Sequence, residues 1–303
     1  MWAVIDIGSN TIRLVFYLVE DGRLHPVLDK KYAAGLAGYI EDSRMSRDGI
    51  QVLIDCLADI RLLLGYIKPQ AVFPFATASL RACSNGRDIL KMVRERCGFD
   101  VRLLSGEEEA AFDYDGAQAG GLGEEGLLVD VGGGSTELAF FKDGKMQAAA
   151  CLPVGSLNLY KNFVQELFPT PQEAKAIRDE VKQRLQRAAI GGEQRTARTL
   201  FCVGGTARAT QKLLGKQYGL AGPEPYTYRE LKETLERAQE APRDMLRRIL
   251  RSSPDRVHTL LPGMTVFKTV ARFFRGETLV TCRNGVREGY LLHCLSERGA
   301  LCR

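Results

Sequence analysis

The hydrophobic and polar positions of the chain form one pattern twice. Near the start, an apolar stretch ends at Asp6, a Gly-Ser turn follows, and a second apolar stretch leads to the pair Asp21-Gly22. In the middle, an apolar stretch ends at Asp130, a turn of three glycines follows, and a second stretch leads to Asp143-Gly144. Short apolar runs bounded by turn residues predict buried strands, and an Asp-Gly pair between them predicts a hairpin. The chain therefore carries two copies of a unit made of a strand, a turn, a strand and a hairpin.

Helices with one apolar face alternate with short strands after each copy. The segment from Ser46 to Leu64 has apolar residues every three or four positions, which predicts an amphipathic helix. Ser105 and Glu108 have the spacing of a capping box and predict that a helix begins near Gly106. Further helices are predicted at about 86–97, 157–167, 172–187, 228–240, 263–274 and from 286, and short strands at 71–76, 99–104, 200–203 and 278–281.

The repeated order of elements predicts a duplicated α/β fold. A length of 303 residues agrees with about two domains. We place an N-terminal domain at residues 1–119 and a C-terminal domain at 120–303, because the glycine-rich stretch from Gly120 to Gly123 is typical of a hinge. Two related domains of this kind predict a cleft between them.

Composition excludes several classes of protein. The chain has 45% hydrophobic and 26% charged residues, as ordinary globular proteins do. No run reaches the roughly 18 apolar residues that a membrane helix needs, and no basic segment precedes an apolar one at the start, so we expect no membrane partner, no signal peptide and a cytoplasmic location. The eight cysteines are scattered without a CxxC pair, which predicts reduced thiols. A net charge of +5 favours an anionic substrate but is too small to predict nucleic-acid binding.

The two turns of the repeated unit are candidate phosphate sites. Glycines let the backbone approach a ligand closely, and successive N–H groups can surround a phosphate group. The residues concerned are Gly8, Ser9, Asn10 and Thr11 in the first copy and Gly132, Gly133, Gly134 and Ser135 in the second. Asp6 and Asp130 stand beside these turns and can hold the divalent cation that accompanies a polyphosphate. A single such turn is usually a plain hairpin, and it is the pair that favours phosphate binding.

Two arginines and a third glycine turn extend this set. Arg13 follows the first turn, and Arg81 follows a short Ala-Ser segment; each can bind phosphate oxygens with two N–H groups, or can be a solvated surface group. Gly204, Gly205 and Thr206 stand where a strand leads into a helix, and free N–H groups there can bind a nucleotide or a phosphate. A tight structural turn is the alternative for these three residues.

Six short motifs occur in an order that resembles the exopolyphosphatase and guanosine pentaphosphate phosphohydrolase family. The resemblance covers essentially the whole chain and is closest to the short, two-domain members of this family. It implies two ribonuclease H-like domains of the actin-like ATPase type, with the active site in the cleft between them. The motifs are Gly8-Ser-Asn-Thr11, Ala76-Thr-Ala-Ser-Leu-Arg81, Ser105-Gly-Glu-Glu-Glu-Ala110, Asp130-Val-Gly-Gly-Gly-Ser-Thr-Glu137, Gly204-Gly-Thr-Ala207 and Gly285-Val-Arg-Glu-Gly289.

The resemblance also implies roles for acidic residues. Glu109 matches the catalytic base of the family, which orients and activates water. Its alternative is to favour the positive end of a helix, which is our interpretation of Glu107 and Glu108. Asp130 and Glu137 match the residues that hold Mg²⁺, and Asp6 is the equivalent acid of the first copy, with turn capping as its alternative.

The function implied is hydrolysis of the terminal phosphoryl group of inorganic polyphosphate, with Mg²⁺ as cofactor and orthophosphate as product. The close alternative is a guanosine pentaphosphate 5′-phosphohydrolase with the same residues. A kinase or ATPase of the wider superfamily and a non-catalytic sensor of polyphosphate or nucleotide are more distant alternatives. Members of the family often dimerise, so a homodimer is also expected.

The chain departs from the family at two places. The family has a basic residue at the end of the third strand, where this chain has Ala33 and Ala34. Alternation along a strand would let only one of these two positions point inward, so one phosphate contact is expected to be missing. The second departure is Cys282, which stands where the family often has serine.

Overall fold

The computed structural model describes residues 1–190, 196–220, 222 and 224–300, so Cys302 lies outside the described residues. Its strands are β1 (Trp2–Ile7), β2 (Ile12–Glu20), β3 (Arg23–Tyr32), β4 (Ile40–Glu41), β5 (Arg44–Met45), β6 (Val72–Ala76), β7 (Arg102–Leu103), β8 (Glu125–Val131), β9 (Thr136–Lys142), β10 (Lys145–Leu152), β11 (Thr199–Val203), β12 (Tyr226–Thr227) and β13 (Thr278–Thr281). Its helices are α1 (Arg47–Ile67), α2 (Ala78–Arg81), α3 (Gly86–Cys97), α4 (Gly106–Ala119), α5 (Ser156–Phe163), α6 (Pro171–Ala188), α7 (Gly204–Tyr218), α8 (Tyr228–Glu240), α9 (Pro242–Ser252), α10 (Leu260–Phe273) and α11 (Val286–Glu297). Single 3₁₀ turns lie at Leu36–Tyr39 and Pro254–Arg256.

The first compact unit comprises Met1–Glu109 and Arg287–Arg303. Its five-stranded sheet has the order β3-β2-β1-β6-β7. The first three strands are antiparallel, and β6 and β7 then pair in parallel on the other side of β1. Helix α1 contributes Leu53 and Leu57 to the same buried cluster as Ile5 and Leu14 of the sheet. The apolar face predicted for this helix is therefore the face that it buries.

The second compact unit comprises Ala110–Val286. Its six-stranded sheet has the order β10-β9-β8-β11-β13-β12. Strands β8 to β10 are antiparallel, β11 and β13 extend the sheet in parallel on the other side of β8, and β12 pairs antiparallel with β13 at the edge. Val129 and Leu138 of the sheet share a buried cluster with Ile177 of α6 and Phe267 of α10.

The two strand orders confirm the predicted duplication and the α/β class. In each unit three antiparallel strands are followed by two parallel strands beside the first one, which is the ribonuclease H-like order. Strands β1 and β8 each carry the aspartate of the repeated phrase, Asp6 or Asp130, as their next-to-last residue. Each phosphate turn therefore lies at the carboxyl end of a strand with pairing partners on both sides.

The compact units divide the chain differently from the predicted domains at 1–119 and 120–303. The first unit ends at Glu109, within α4, and it regains the residues from Arg287 onward. This return depends on contacts between residues far apart in sequence, such as the edge-to-face pair of Phe75 and Tyr290, whose ring centroids are 5.0 Å apart. Local patterns in the sequence do not predict contacts between residues so far apart.

Side-chain caps lie at the predicted starts of α1 and α4. The Ser46 hydroxyl accepts a hydrogen bond from the Gly49 N–H at 3.2 Å at the start of α1. At the start of α4, Ser105 and Glu108 exchange hydrogen bonds of 2.8 and 3.1 Å, so the predicted capping box is present. The helix predicted at 157–167 is wrong at its end, because Val164 has extended backbone angles and α5 stops at Phe163.

The cysteines of the described residues are all free thiols. Burial raises the pKa of Cys282 to about 12, so this residue carries a neutral thiol where the family often has a neutral hydroxyl. In the described part of the chain, no helix combines the length and the apolar composition that a membrane crossing requires.

Candidate active site

The first phosphate turn directs its carbonyl groups into the protein. The Gly8 N–H closes the hairpin by donating to the Thr11 carbonyl at 3.0 Å. The carbonyls of Ser9 and Asn10 accept hydrogen bonds from the N–H groups of Ala37 and Gly35, both at 2.9 Å. Among the hydrogen bonds of the described residues, none uses the N–H of Ser9 or Asn10. This turn therefore presents donors and keeps its acceptors occupied.

The second phosphate turn repeats this arrangement. The Gly132 N–H donates to the Ser135 carbonyl at 3.0 Å, as Gly8 does to Thr11. The three glycine carbonyls accept hydrogen bonds from the first turn of α5, and in the described part of the chain no hydrogen bond uses the N–H of Gly133 or Gly134. The bonds to the carbonyls run from the Ser156 N–H to Gly132 (2.8 Å), from the Leu157 and Asn158 N–H groups to Gly133 (2.9 and 3.1 Å) and from the Asn158 side-chain amide to Gly134 (2.8 Å).

The two turns therefore share one chemical character. Each is a hairpin turn at the end of a strand, closed by a backbone hydrogen bond. A neighbouring segment holds its carbonyls, and two of its N–H groups have no partner within the described ranges. Unpartnered N–H groups on consecutive residues bind anions, and phosphate is the anion that best uses several donors.

The segment after β3 supports the first turn and corrects one expectation. Ala33 and Ala34 lie beyond Tyr32, where the strand ends, so alternation along a strand does not decide which of them points inward. Ala34 is buried in the core, whereas Ala33 is exposed. Gly35 and Ala37 then donate to the carbonyls of the first turn.

We expect Ala33→Arg to tighten polyphosphate binding by about ten- to a hundred-fold at low salt, because it adds a charge-assisted contact next to the first turn. The gain should shrink with added salt, since exposed charges are screened. Ala33→Gln, which adds length without charge, is the control. Ala34→Arg should instead lower the melting temperature, because it places a charge in the core. A folded Ala33→Arg variant with unchanged affinity would mean that no contact is missing there.

The acidic pair of the second unit lies on one face of its sheet. Asp130 of β8 and Glu137 of β9 are directly opposite in the antiparallel register, so their side chains share a face. Glu137 is buried, and the Cys151 thiol donates to its carboxylate with an S···O distance of 3.2 Å. Burial of a carboxylate beside a phosphate turn is costly unless a cation or a donor compensates it.

This pair fits a magnesium ion better than a metal held by protein alone. Among the described residues, no group of three or more His, Cys, Asp or Glu side chains has the arrangement of a metal site. Mg²⁺ in phosphate-transferring proteins is usually held by one or two carboxylates, with water and substrate phosphates filling the other positions. Asp130 and Glu137 supply such a pair, so the residues present fit the ion.

Asp6, the equivalent acid of the first unit, has different surroundings. It lies opposite Arg13 in the β1–β2 register and accepts a hydrogen bond from Arg287 at 3.3 Å. Burial raises the pKa of Asp6, and the Arg287 guanidinium opposes that rise. The neighbouring Glu288 accepts a hydrogen bond from the buried Tyr17 hydroxyl. Asp6 is thus bound by Arg287 of the same unit. The repeated motif shared with Asp130 does not predict this ion pair.

The two arginines predicted to bind phosphate both make ion pairs. Arg13 binds the carboxylate of Asp29 with two N–H groups, the Nε–O distance being 3.1 Å. Arg81 donates from Nη1 to Glu109 at 2.8 Å and to the Leu104 carbonyl at 3.0 Å. Their phosphate roles stay predictions.

Glu109 differs from the two glutamates that precede it. Glu107 is exposed. Glu108 accepts the Ser105 N–H and pairs with Arg102, and the Ser105 hydrogen bond holds the pKa of Glu108 below its usual value. Only 9% of Glu109 is exposed, and Arg81 binds its carboxylate. Glu107 and Glu108 therefore fit the interpretation that they favour the positive end of the helix. Glu109 is instead held in position by Arg81.

We expect Arg81→Met to lower kcat by about 10- to 100-fold with a smaller change in KM. Glu109, which the resemblance implies to be the base, loses an ion pair that positions it, and small displacements of such a group are costly. The matched control is Arg102→Met, which removes the exposed ion pair to Glu108 on the same helix and should leave the rate nearly unchanged. A large rise in KM at constant kcat would show that Arg81 binds phosphate instead.

The third glycine turn packs against Asp130. Gly204 has a φ of +86°, and a Cβ there would overlap the Asp130 carboxylate. A Cβ on Gly205 would overlap the Arg256 guanidinium, so this cation lies directly on the turn. Thr206 uses its hydroxyl to donate to the Val131 carbonyl at 2.7 Å. The turn thus holds the end of strand β8 in place, and no motif in the sequence predicts Arg256 as its charged neighbour.

We expect Gly204→Ala to lower activity by at least about 10²-fold, because the added methyl group must displace Asp130 from its position. Gly219→Ala is the control, since Gly219 has a similar φ of +72° with nothing within 4 Å of its Cβ position. That control should cost about 1–2 kcal/mol of stability from backbone strain alone. Equal activity in the two variants would show that the packing of Gly204 against Asp130 does not matter for activity.

Fold and site together define a duplicated α/β protein in which two glycine-containing turns, each beside an aspartate, lie at the ends of β1 and β8. The model of the Ppx/GppA phosphatase family matches residues 15–298, and the chain belongs to this family of phosphoanhydride hydrolases. It is 28% identical to an uncharacterized protein of Streptomyces coelicolor, over 97% of this chain and 90% of that protein. It is 27% identical to the guanosine-5′-triphosphate,3′-diphosphate pyrophosphatase of Vibrio vulnificus, over 98% of this chain and 60% of that enzyme. The chain therefore spans about 60% of the length of that relative.

Solved structures have the same overall fold as this chain. The Aquifex aeolicus member of the Ppx/GppA family is similar with a TM-score of 0.80 and 27% identity, and the match covers 98% of both chains. An exopolyphosphatase from Cytophaga hutchinsonii has a TM-score of 0.84 at 18% identity, again over 98% of both chains. The second likeness concerns the fold alone. These comparisons confirm the predicted family and fold class.

Proposed function

We propose that this protein is an exopolyphosphatase that hydrolyses the terminal phosphoryl group of inorganic polyphosphate with Mg²⁺ and releases orthophosphate. The observation that carries the proposal is the shared arrangement of the two turns. In each of them the carbonyls are held by a neighbouring segment, and two N–H groups have no partner among the described residues. Donor arrays of this kind suit a chain of phosphate groups, because every unit of that chain offers the same oxygens.

In this proposal Glu109 accepts a proton from the attacking water. A base must be ionised and held within hydrogen-bond reach of the water. The Arg81 guanidinium, 2.8 Å from the Glu109 carboxylate, favours the ionised form and fixes its position. The water oxygen then bonds to the terminal phosphorus, the bond to the bridging oxygen breaks, and the shortened chain leaves with that oxygen.

Asp130 and Glu137 are the residues that would hold Mg²⁺, with Asp6 as a further acid near the first turn. When bound, the ion neutralises charge on the transferring phosphoryl group. Gly204 supports this assignment, because a side chain at this position would overlap the carboxylate of Asp130. Cys151 supports it as well, since its thiol orients the Glu137 carboxylate.

A guanosine pentaphosphate 5′-phosphohydrolase is the second candidate, and the name of the Vibrio vulnificus relative favours it. Arg256 argues for the inorganic chain. Its guanidinium lies on the Gly204-Gly205 turn, which the sequence predicts to bind a nucleotide or a phosphate group. A cation at that position suits a phosphate group, whereas a base or ribose would have to displace it.

Phosphate release should be measured side by side with long polyphosphate, short polyphosphate, guanosine pentaphosphate and ATP. The proposal predicts the highest kcat/KM for polyphosphate and little release from ATP. A higher kcat/KM for guanosine pentaphosphate would establish the second candidate. Tight binding of polyphosphate without release would indicate a sensor.

A further inference from the structure

A pocket lined by basic side chains lies among the helices of the second unit, apart from the two phosphate turns. Helices α6, α8 and α10 line a cavity of about 670 Å³ that is open to solvent on one side. This volume falls within the range of ordinary small-molecule sites. Residues of the two phosphate turns do not line it. The cavity therefore needs an explanation of its own.

Positive charge dominates the walls of this cavity. Lys268 of α10 and Arg178 of α6 are half-buried, and further basic side chains surround them. The acidic residues of the lining already have basic partners: Asp179 pairs with Lys175 at 2.7 Å, and Glu236 pairs with Lys232 at 3.5 Å. The remaining basic side chains of the lining are Lys182, Lys232 and Arg272.

Four of these cations have no close polar partner among the described residues; Lys182 and Arg272 are exposed, and Arg178 and Lys268 are half-buried. In the part of the chain that the structure describes, no hydrogen bond or ion pair is made by the side chains of Arg178, Lys182, Lys268 or Arg272. Burial lowers the pKa of Lys268, and the nearby charge of Arg178 lowers it further; Lys232 and Arg272 act in the same direction, and Glu236 opposes them. Asp179 and Glu236 offset part of this charge, but the lining holds five basic side chains against these two acidic ones, so an added anion would reduce the remaining repulsion.

The rest of the lining is apolar. Leu235, Leu261 and the partly exposed Phe273 contribute hydrocarbon surface. The hydroxyls of Thr265 and Thr269 donate to carbonyls of their own helix at 2.8 and 2.6 Å, so they are already used. Recognition in this cavity therefore depends on the cations, with an apolar wall beside them.

We propose that this cavity binds a small phosphate-bearing anion. Several converging ammonium and guanidinium groups suit the multiple charges of phosphoryl oxygens better than a single carboxylate. The anion can be inorganic oligophosphate or the phosphate chain of a nucleotide whose base packs on Leu235 and Phe273. This binding is independent of the hydrolysis proposed for the phosphate turns.

Protection of lysines from acylation tests the site in the full-length protein. The probes are inorganic tripolyphosphate and ATP, in a buffer with chelator so that hydrolysis does not interfere, and labelling is quantified at each lysine by mass spectrometry. At ten times Kd the occupancy is about 90%, so labelling of Lys268 should fall by about tenfold with at least one probe. Lys175, an exposed neighbour on α6 outside the lining, should be labelled equally with and without probe. Protection by both probes identifies the phosphate groups as the feature recognised, and protection by ATP alone identifies a nucleotide.

The variant Arg178→Gln/Lys268→Gln completes the test, and its control is Lys91→Gln, which removes an exposed lysine of α3 in the other unit. In the double variant, protection of Lys232 should need about 10²–10⁴-fold more probe, because two charge-assisted contacts are lost. The control should behave as wild type. Absence of protection at Lys268 with both probes, equal protection of Lys175, or unchanged affinity in the double variant would overturn the proposal. Because the labelling measures binding in the absence of metal, it stands apart from the substrate panel that tests the proposed hydrolysis.

Discussion

Replacing Glu109 with glutamine is expected to lower the rate of phosphate release from polyphosphate by about 10²–10⁴-fold, because the amide keeps the size of the side chain but cannot accept a proton. The hydrogen bond from Arg81 to an oxygen of the side chain can persist, so the fold and the substrate affinity should change little. The measurement is kcat and KM for orthophosphate release, with the affinity for polyphosphate determined separately.

Glu107→Gln and Glu108→Gln are matched controls on the same helix turn. Glu107 is exposed, and a glutamine at position 108 retains an oxygen that can accept the Ser105 N–H. Both variants should stay close to the wild-type rate, as surface changes usually do. Turnover of the Glu109 variant within a few-fold of wild type would move the base to another residue.

Removing divalent cations is expected to abolish phosphate release, and added Mg²⁺ should restore it, because the transferring phosphoryl group needs a charge beside it that protein donors alone do not supply. Glu137→Ala should lower the rate by at least about 10²-fold at the Mg²⁺ concentration that saturates wild type, or raise the Mg²⁺ requirement. The measurement is a titration of the rate with Mg²⁺ in both proteins.

Glu125→Ala is the control for this titration. Glu125 begins the same strand as Asp130, but its side chain is 69% exposed and pairs with Lys142. Its loss removes a carboxylate from the unit without touching the pair at Asp130 and Glu137. A rate that survives chelation, or a Glu137→Ala variant with the wild-type Mg²⁺ requirement, would rule out the metal assignment.

The parts of this protein that the sequence predicts are those with local causes. The turns at Gly8 and Gly132 follow strands whose apolar runs and flanking aspartates are visible in the chain. The cap at Ser105 depends on residues three positions apart. Both phosphate turns therefore lie where the repeated phrase predicted, at the ends of β1 and β8.

The pairings between charged side chains could not be predicted in this way. Arg81 and Glu109 are 28 positions apart, and Arg287 and Asp6 are 281 apart. Either arginine could have been a solvated surface group on local grounds. The motif Gly285-Val-Arg-Glu-Gly289 signalled that this segment mattered, but its contacts with β1 and β2 depend on the return of the chain to the first unit.

Positions next to the site show the same limit. We expected Ala33 and Ala34 to follow the alternation of a strand. Strand β3 instead ends at Tyr32, and the following segment turns toward Ser9 and Asn10. That turn is set by hydrogen bonds to the first phosphate turn. Hydrogen bonds between backbone groups do not depend on particular side chains, so the sequence pattern does not predict them.

The isotopic fate of water during hydrolysis tests the central claim most directly. Wild-type protein is incubated with long polyphosphate and Mg²⁺ in ¹⁸O-labelled water, and the products are analysed by mass spectrometry at low conversion. Attack of water on the terminal phosphorus predicts orthophosphate with one ¹⁸O atom from the first turnover, together with chains shortened one unit at a time. Chains cut internally, orthophosphate without the label, or no orthophosphate in a protein that binds polyphosphate would contradict the account.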